Sequence, residues 1–258
     1  MSKRFFWLAM AAALAVAAPH SLAYGGGEGE ILVSNFETPG RHLPDGWRHQ
    51  TFDPKKVPRP SEYDMAELDD EVVLRGRTRS GASLVYRRVD VDWRTHPVIA
   101  WRWRVDQVFD KDNERSKAGD DYPARVYIGF KYDPDRANWF QRRLFERARR
   151  RSDDNSYPPL YTLNYVWATK EPPGASFDNP YQSRAKMVVA RSGRRGLRAW
   201  QEEARNYAED FREIVGEEPP EVEFVAIMID GDDTDSSGVS YFADIRFLRE
   251  MPEDGAED

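Results

Sequence analysis

The chain has 258 residues, a formal charge of −7 and no cysteine. The missing thiol excludes thiolate catalysis, Cys-ligated zinc and a lipid-modified N-terminal cysteine, and the acidic balance argues against a general nucleic-acid binder. Aromatic residues make up 13% of so charged a protein, which suits broad side chains filling the gap between two sheets.

The N-terminus predicts export. Lys3 and Arg4 form a positive segment, Phe5 to Ala18 is apolar and uncharged, and Ser21-Leu22-Ala23 supplies the small residues for cleavage before Tyr24. That apolar run of 14 residues falls short of the roughly 20 that span a bilayer. The expectation is therefore a signal peptide over 1–23 and a periplasmic or secreted chain with no transmembrane segment after cleavage. The remaining 235 residues carry −9 and suit one all-β domain over 31–250. A linker over 24–30 precedes it, and an acidic, disordered tail over 251–258 follows.

Ile31 to Phe36 predicts a first strand, and Glu37 to Asp45, with Pro39, Gly40 and Pro44, a loop. Short apolar runs follow over Tyr63–Leu68, Glu71–Arg75 and Ala82–Val91; Gly76 and Gly81 bracket a connection that turns Arg77, Thr78 and Arg79 to water. In Val98–Val105, Ile99, Trp101, Trp103 and Val105 share one face, while Arg102 and Arg104 share the other with Val98 and Ala100. Such phasing places both tryptophans in the core. In Ala124–Phe130, Ala124, Val126, Ile128 and Phe130 point inward, and Arg125 and Tyr127 outward.

Asp133 to Ser156 breaks the β rhythm. Trp139, Phe140, Leu144, Phe145 and Ala148 recur near helical spacing among arginines, so Trp139–Arg151 predicts a basic helix able to contact a partner or an anionic surface. Strands resume over Leu160–Ala168 and Lys186–Arg191, separated by a loop holding Asn179-Pro180-Tyr181. Trp200, Ala204, Tyr207, Phe211 and Ile214 form a helical stripe ending at Gly216. Glu223–Ile229 and Ser240–Leu248 are the last strands, joined by an acid-rich turn. The expected fold is all-β: a two-sheet antiparallel β-sandwich of jelly-roll type with one or two inserted helices.

Several stretches occur in the order of a known family: Trp101-Arg102-Trp103-Arg104-Val105-Asp106, Gly119 to Tyr127, Asn164-Tyr165-Val166-Trp167-Ala168, Arg205-Asn206 before Pro219-Pro220, Ala226-Ile227-Met228, and Asp244-Ile245. Together they resemble a family of secreted bacterial proteins, domain of unknown function 3047. The resemblance implies a galactose-binding-like jelly roll, a fold that hosts carbohydrate-binding modules, and no particular activity. The acid turn departs from the family's Thr-Asp-Thr-Asp-Asn-Thr-Gly. Here it is Ile229-Asp230-Gly231-Asp232-Asp233-Thr234-Asp235, more negative by Asp233 and Asp235.

Two candidate sites emerge. Arg102, Arg104, Asp120, Asp121, Arg125, Tyr127 and Asn164 form a candidate ligand face, on which arginine forks match the carboxylate of an acidic glycan. Asp120 and Asp121 are also a candidate acid/base pair for glycoside cleavage. The competing account pairs these arginines internally with aspartates. Asp230, Asp232 and Asp233 gather the hard oxygen ligands that calcium takes, against the plain alternative of a polar hairpin turn. No cofactor motif is present, and His42, His49 and His96 lack metal-site spacing. Three functions stay open: a glycan-binding module, a polysaccharide-active lyase or hydrolase, and an envelope protein that contacts other proteins.

Overall fold

The computed structural model describes residues 29–150 and 157–253. The expected signal peptide, nearly all of the linker, residues 151–156 and the end of the acidic tail lie outside the described residues. No helix among the described residues is long and apolar enough to cross a membrane.

Two sheets carry the fold. The first runs β11 (Gln201–Asn206), β6 (Val98–Val105), β13 (Ser237–Leu248), β4 (Glu71–Arg79) and β3 (Glu62–Leu68), with β1 (Glu30–Leu32) also paired to β13. The second runs β2 (Trp47–Thr51), β5 (Ala82–Val91), β12 (Val222–Asp230), β7 (Arg125–Phe130), β8 (Thr162–Ala168), β10 (Ala185–Ser192) and β9 (Ser176–Asp178). The chain crosses repeatedly between them, which makes the sandwich a jelly roll.

Alternation builds the core. Ile99, Trp101, Trp103 and Val105 from β6 meet Ala124, Val126, Ile128 and Phe130 from β7 and its approach, all buried in one cluster. Trp101 lies 5.3 Å from the Tyr165 ring and Trp103 5.8 Å from the Trp167 ring, so aromatic pairs bridge the two sheets. Both tryptophans are core residues, as their phase predicts.

The expected two-sheet sandwich contains one parallel pair: β10 runs parallel to β8, and the chain returns from β8 through β9, which flanks β10. Two expectations need correction. The connection expected at Arg77–Arg79 is the end of β4, where Thr78 is buried and donates its hydroxyl to the Gly81 carbonyl at 2.7 Å. Gly76 sits inside that strand because Ile229 Cγ2 would lie 2.9 Å from a Cβ there. The helical stripe beginning at Trp200 starts as β11, and only Tyr207–Val215 forms a helix (α2), capped by Asn206 and closed at Gly216 with φ +81°. Apolar spacing alone could not separate an edge strand from the helix it enters.

The basic helix is α1, Trp139–Arg149, which starts with a capping box between Asn138 and Gln141. Phe145 and Ala148 are its buried side, and Phe145 stacks on Tyr132 at 5.0 Å. Trp139 and Phe140 are exposed.

Candidate functional site

Two turns meet on the outer face of the second sheet, where β7 lies beside β12. The turn Asp120–Pro123 precedes β7, and the acid turn follows β12. Each reaches into the other. Asp230 Oδ1 accepts the Tyr122 amide at 3.1 Å, and Asp121 Oδ2 accepts the Thr234 amide at 2.5 Å. Glycine makes the second turn tight: a Cβ at Gly231 would lie 2.3 Å from the Ser236 carbonyl oxygen.

Arg125 occupies the junction. Its Nε donates to Asp230 Oδ1 at 2.8 Å and its Nη2 to Asp230 Oδ2, while Nη2 also reaches the Asp120 carbonyl at 2.6 Å and Nη1 the Asp120 carboxylate at 3.3 Å. Arg125, Asp120, Asp121 and Asp230 are all buried. Asn179 donates to the other Asp120 oxygen at 2.8 Å, and the Tyr181 hydroxyl donates to Asp233 at 2.7 Å. Behind them, Lys111 lies 3.5 Å from the centre of the Tyr122 ring and pairs with Glu114 at 3.0 Å.

The junction floors a small cleft walled by Phe52, Leu84, Tyr127, Asn179, Tyr181 and Met228, with Asp232 and Asp233 at its half-buried edge. Burial pushes the carboxyls of Asp120, Asp121 and Asp230 above the ordinary aspartate value, and Arg125 opposes this. Burial, with Asp121 and Asp233 nearby, pushes Asp232 up to about 6. The cleft is thus rich in hydrogen-bond acceptors and negative in balance.

The structure splits the expected ligand face. Asp120, Arg125 and Tyr127 line the cleft. Asp121 stands behind it, fully buried. Asn164 pairs with Tyr127 in register and is buried, but its amide is taken by the Thr162 hydroxyl and the Lys186 carbonyl. Arg102 and Arg104 lie on the opposite outer surface of the sandwich. There Arg102 pairs with Asp244 and Glu71, and Arg104 stands 3.4 Å from Asp69.

The arginines therefore share no single face, because β6 and β7 belong to different sheets. Arg125 and Tyr127 point away from the inter-sheet core as predicted, yet both are buried by loops covering the second sheet. The internal pairing account holds at each of the three arginines. Asp120 and Asp121 do not assemble as an acid/base pair either, since one faces the cleft and the other is held by Thr234. Of the acid turn, Asp230 and Asp232 come together with Asp121 rather than with Asp233, which Tyr181 engages instead.

Phe52, Leu84, Met228, Asn179, Tyr181 and Lys111 escaped the sequence reading. Asn179-Pro180-Tyr181 carried one signal, a turn holding an aromatic residue. The others lie on strands or loops whose outer cover periodicity does not reveal.

A jelly roll with an acceptor-lined cleft on one outer sheet face defines the class of this molecule. The chain belongs to the family described as protein of unknown function (DUF3047), which matches residues 45–246. No curated protein sequence matches it. Among solved structures it is similar to a family 11 carbohydrate-binding module from Clostridium thermocellum in complex with a β-1,3-1,4-mixed-linked tetrasaccharide. Identity is 9% and the TM-score 0.41, over 86% of this chain and 97% of that one. The xyloglucanase domain of NopAA from Sinorhizobium fredii is similar at 8% identity and a TM-score of 0.42, over 84% of this chain and 100% of that one. Endoglucanase 3 of family GH12 from Trichoderma harzianum shares 6% identity at a TM-score of 0.38, over 84% and 92%. Likeness this distant says nothing about what the cleft holds.

Proposed function

We propose that the chain binds a neutral, hydroxyl-rich ligand, a glycan, in the cleft on the second sheet. The carrying observation is the lining: acceptors from Asp120, Asp232 and Asp233 stand beside the rings of Tyr127, Tyr181 and Phe52. Sugar hydroxyls donate strongly to carboxylates, and the C–H faces of a pyranose pack on aromatic rings. A pocket with apolar walls and a few convergent polar groups is the ordinary form of a small-molecule site.

This reading changes the sugar expected from sequence. The arginine fork that would match an acidic glycan is already taken, because Asp230 and Asp120 engage Arg125. A uronate carboxylate would also approach Asp233 against like charge. On this reading the cleft prefers neutral oligosaccharides to uronates.

Calorimetric titration of the purified chain with neutral and uronic-acid oligosaccharides tests the reading. Neutral ligands bind, and Tyr181→Ala weakens them by roughly 1–3 kcal/mol through the lost packing. Failure of every neutral glycan, or preference for uronates, would overturn it. Release of reducing ends from a bound glycan would make the cleft catalytic.

A further inference from the structure

We propose that Asp121, Asp230 and Asp232 hold a divalent cation at the inner end of the two interlocked turns, with calcium the ion they suit. One oxygen from each of the three lies within 4.8 Å of the others. They come from segments 109 residues or more apart, Asp121 before β7 and the other two after or at the end of β12, so the sheet itself brings them together.

Asp121 carries an observation of its own. It is fully buried, and while Oδ2 holds the Thr234 amide, Oδ1 meets no hydrogen-bond donor. Buried carboxylate oxygens are costly to leave without a partner, so native proteins answer nearly all of them. The Tyr122 and Thr234 amides are already committed to Asp230 Oδ1 and Asp121 Oδ2, and the Thr234 hydroxyl beside Asp121 donates to Ser236 Oγ at 2.7 Å. A cation answers the remaining oxygen.

The other two carboxylates have capacity left. Asp230 Oδ1 takes two donors, the Tyr122 amide and Arg125 Nε, whereas Oδ2 takes only Arg125 Nη2 and keeps a lone pair. Asp230 can therefore bridge the guanidinium and a metal. Asp232 is half-buried beside the cleft, where water or a ligand hydroxyl can complete the coordination. The donor set is oxygen alone, which suits a hard ion such as calcium over zinc or copper.

Local charge points the same way. Asp120 and Asp230 share Arg125, Asp121 and Asp232 gather beside Asp230, Asp233 lines the same cleft, and Lys111 behind them is already paired with Glu114. A divalent cation removes most of that excess. This set differs from the one expected from the turn alone: Asp121 replaces Asp233. The inference stands whether or not the cleft binds a glycan.

The test uses the purified chain, stripped with chelator and titrated with calcium, magnesium and manganese in the absence of any sugar. One equivalent of calcium binds. At a free concentration about 100-fold above its dissociation constant, it raises the melting midpoint by roughly 5–10 °C. Asp232→Asn, at a half-buried position, and Asp121→Asn each lose that binding and the thermal shift. Asp235→Asn, which removes an exposed charge from the same turn, keeps both. A folded wild type that binds no divalent cation would overturn the proposal. So would calcium binding that survives in folded Asp232→Asn and Asp121→Asn alike, since the ion would then sit elsewhere.

Discussion

Arg125 at the start of β7 and Asp230 at the end of β12 form a two-point ion pair that is almost wholly withdrawn from water. They stand 105 residues apart in the chain, and the antiparallel pairing of β7 with β12 brings their side chains together on the outer face of the second sheet. The pair forms the floor of the cleft and ties the two turns that edge it.

Removing one partner leaves a buried charge unanswered. Arg125→Met should therefore destabilise the fold by about 3–5 kcal/mol, read from urea unfolding. Arg125→Lys keeps the charge but loses the fork and should cost less, though still measurably. A double variant, Arg125→Met with Asp230→Leu, should recover much of the loss. Wild-type stability in the single variant would show that the pair is not the clamp described here.

The second prediction concerns Trp103, fully buried between the sheets, with its Nε1 donating to Glu203 at 3.1 Å. Trp103→Ala should cost about 3–5 kcal/mol and lower the melting temperature without selective loss of a ligand. Unchanged stability would remove the tryptophan from the core.

A third prediction is a pH dependence. The Arg75 guanidinium holds the Asp64 carboxyl below the ordinary aspartate value through hydrogen bonds of 2.9 and 2.5 Å. The folded state thus binds this proton less readily than the unfolded chain. Its contribution is fully present above the unfolded value of 3.8 and is lost as pH falls through the folded one. Urea midpoints measured from pH 5 downward should fall less steeply in Asp64→Asn than in the wild type. Parallel curves would assign the acid sensitivity to other groups.

Much of the fold was legible because period-two alternation reports directly on a half-buried strand. Val98–Val105 and Arg125–Phe130 lie where alternation puts them, with the tryptophans inward. Alternation is silent on two matters that decide the site. It does not say which sheet a strand joins, so Arg102 and Arg104 shared a pattern with Arg125 without sharing its surface. Nor does it say whether an outward face meets water or a loop, and Tyr127 and Arg125 are covered. The meeting of Asp121 with Asp230 and Asp232 depends on β12 lying beside β7, a fact of strand order that periodicity does not contain.

Binding of a neutral glycan in the cleft between Tyr127, Asn179, Tyr181 and Asp232 can be read residue by residue. The most direct measurement is a titration of the isotopically labelled chain with a neutral oligosaccharide, followed by amide chemical shifts. The account predicts saturable changes concentrated at Asn179, Tyr181, Asp232 and Asp233, with the surface around Arg102 and Arg104 unmoved. Changes centred on Arg102 and Arg104, with the cleft silent, would contradict it.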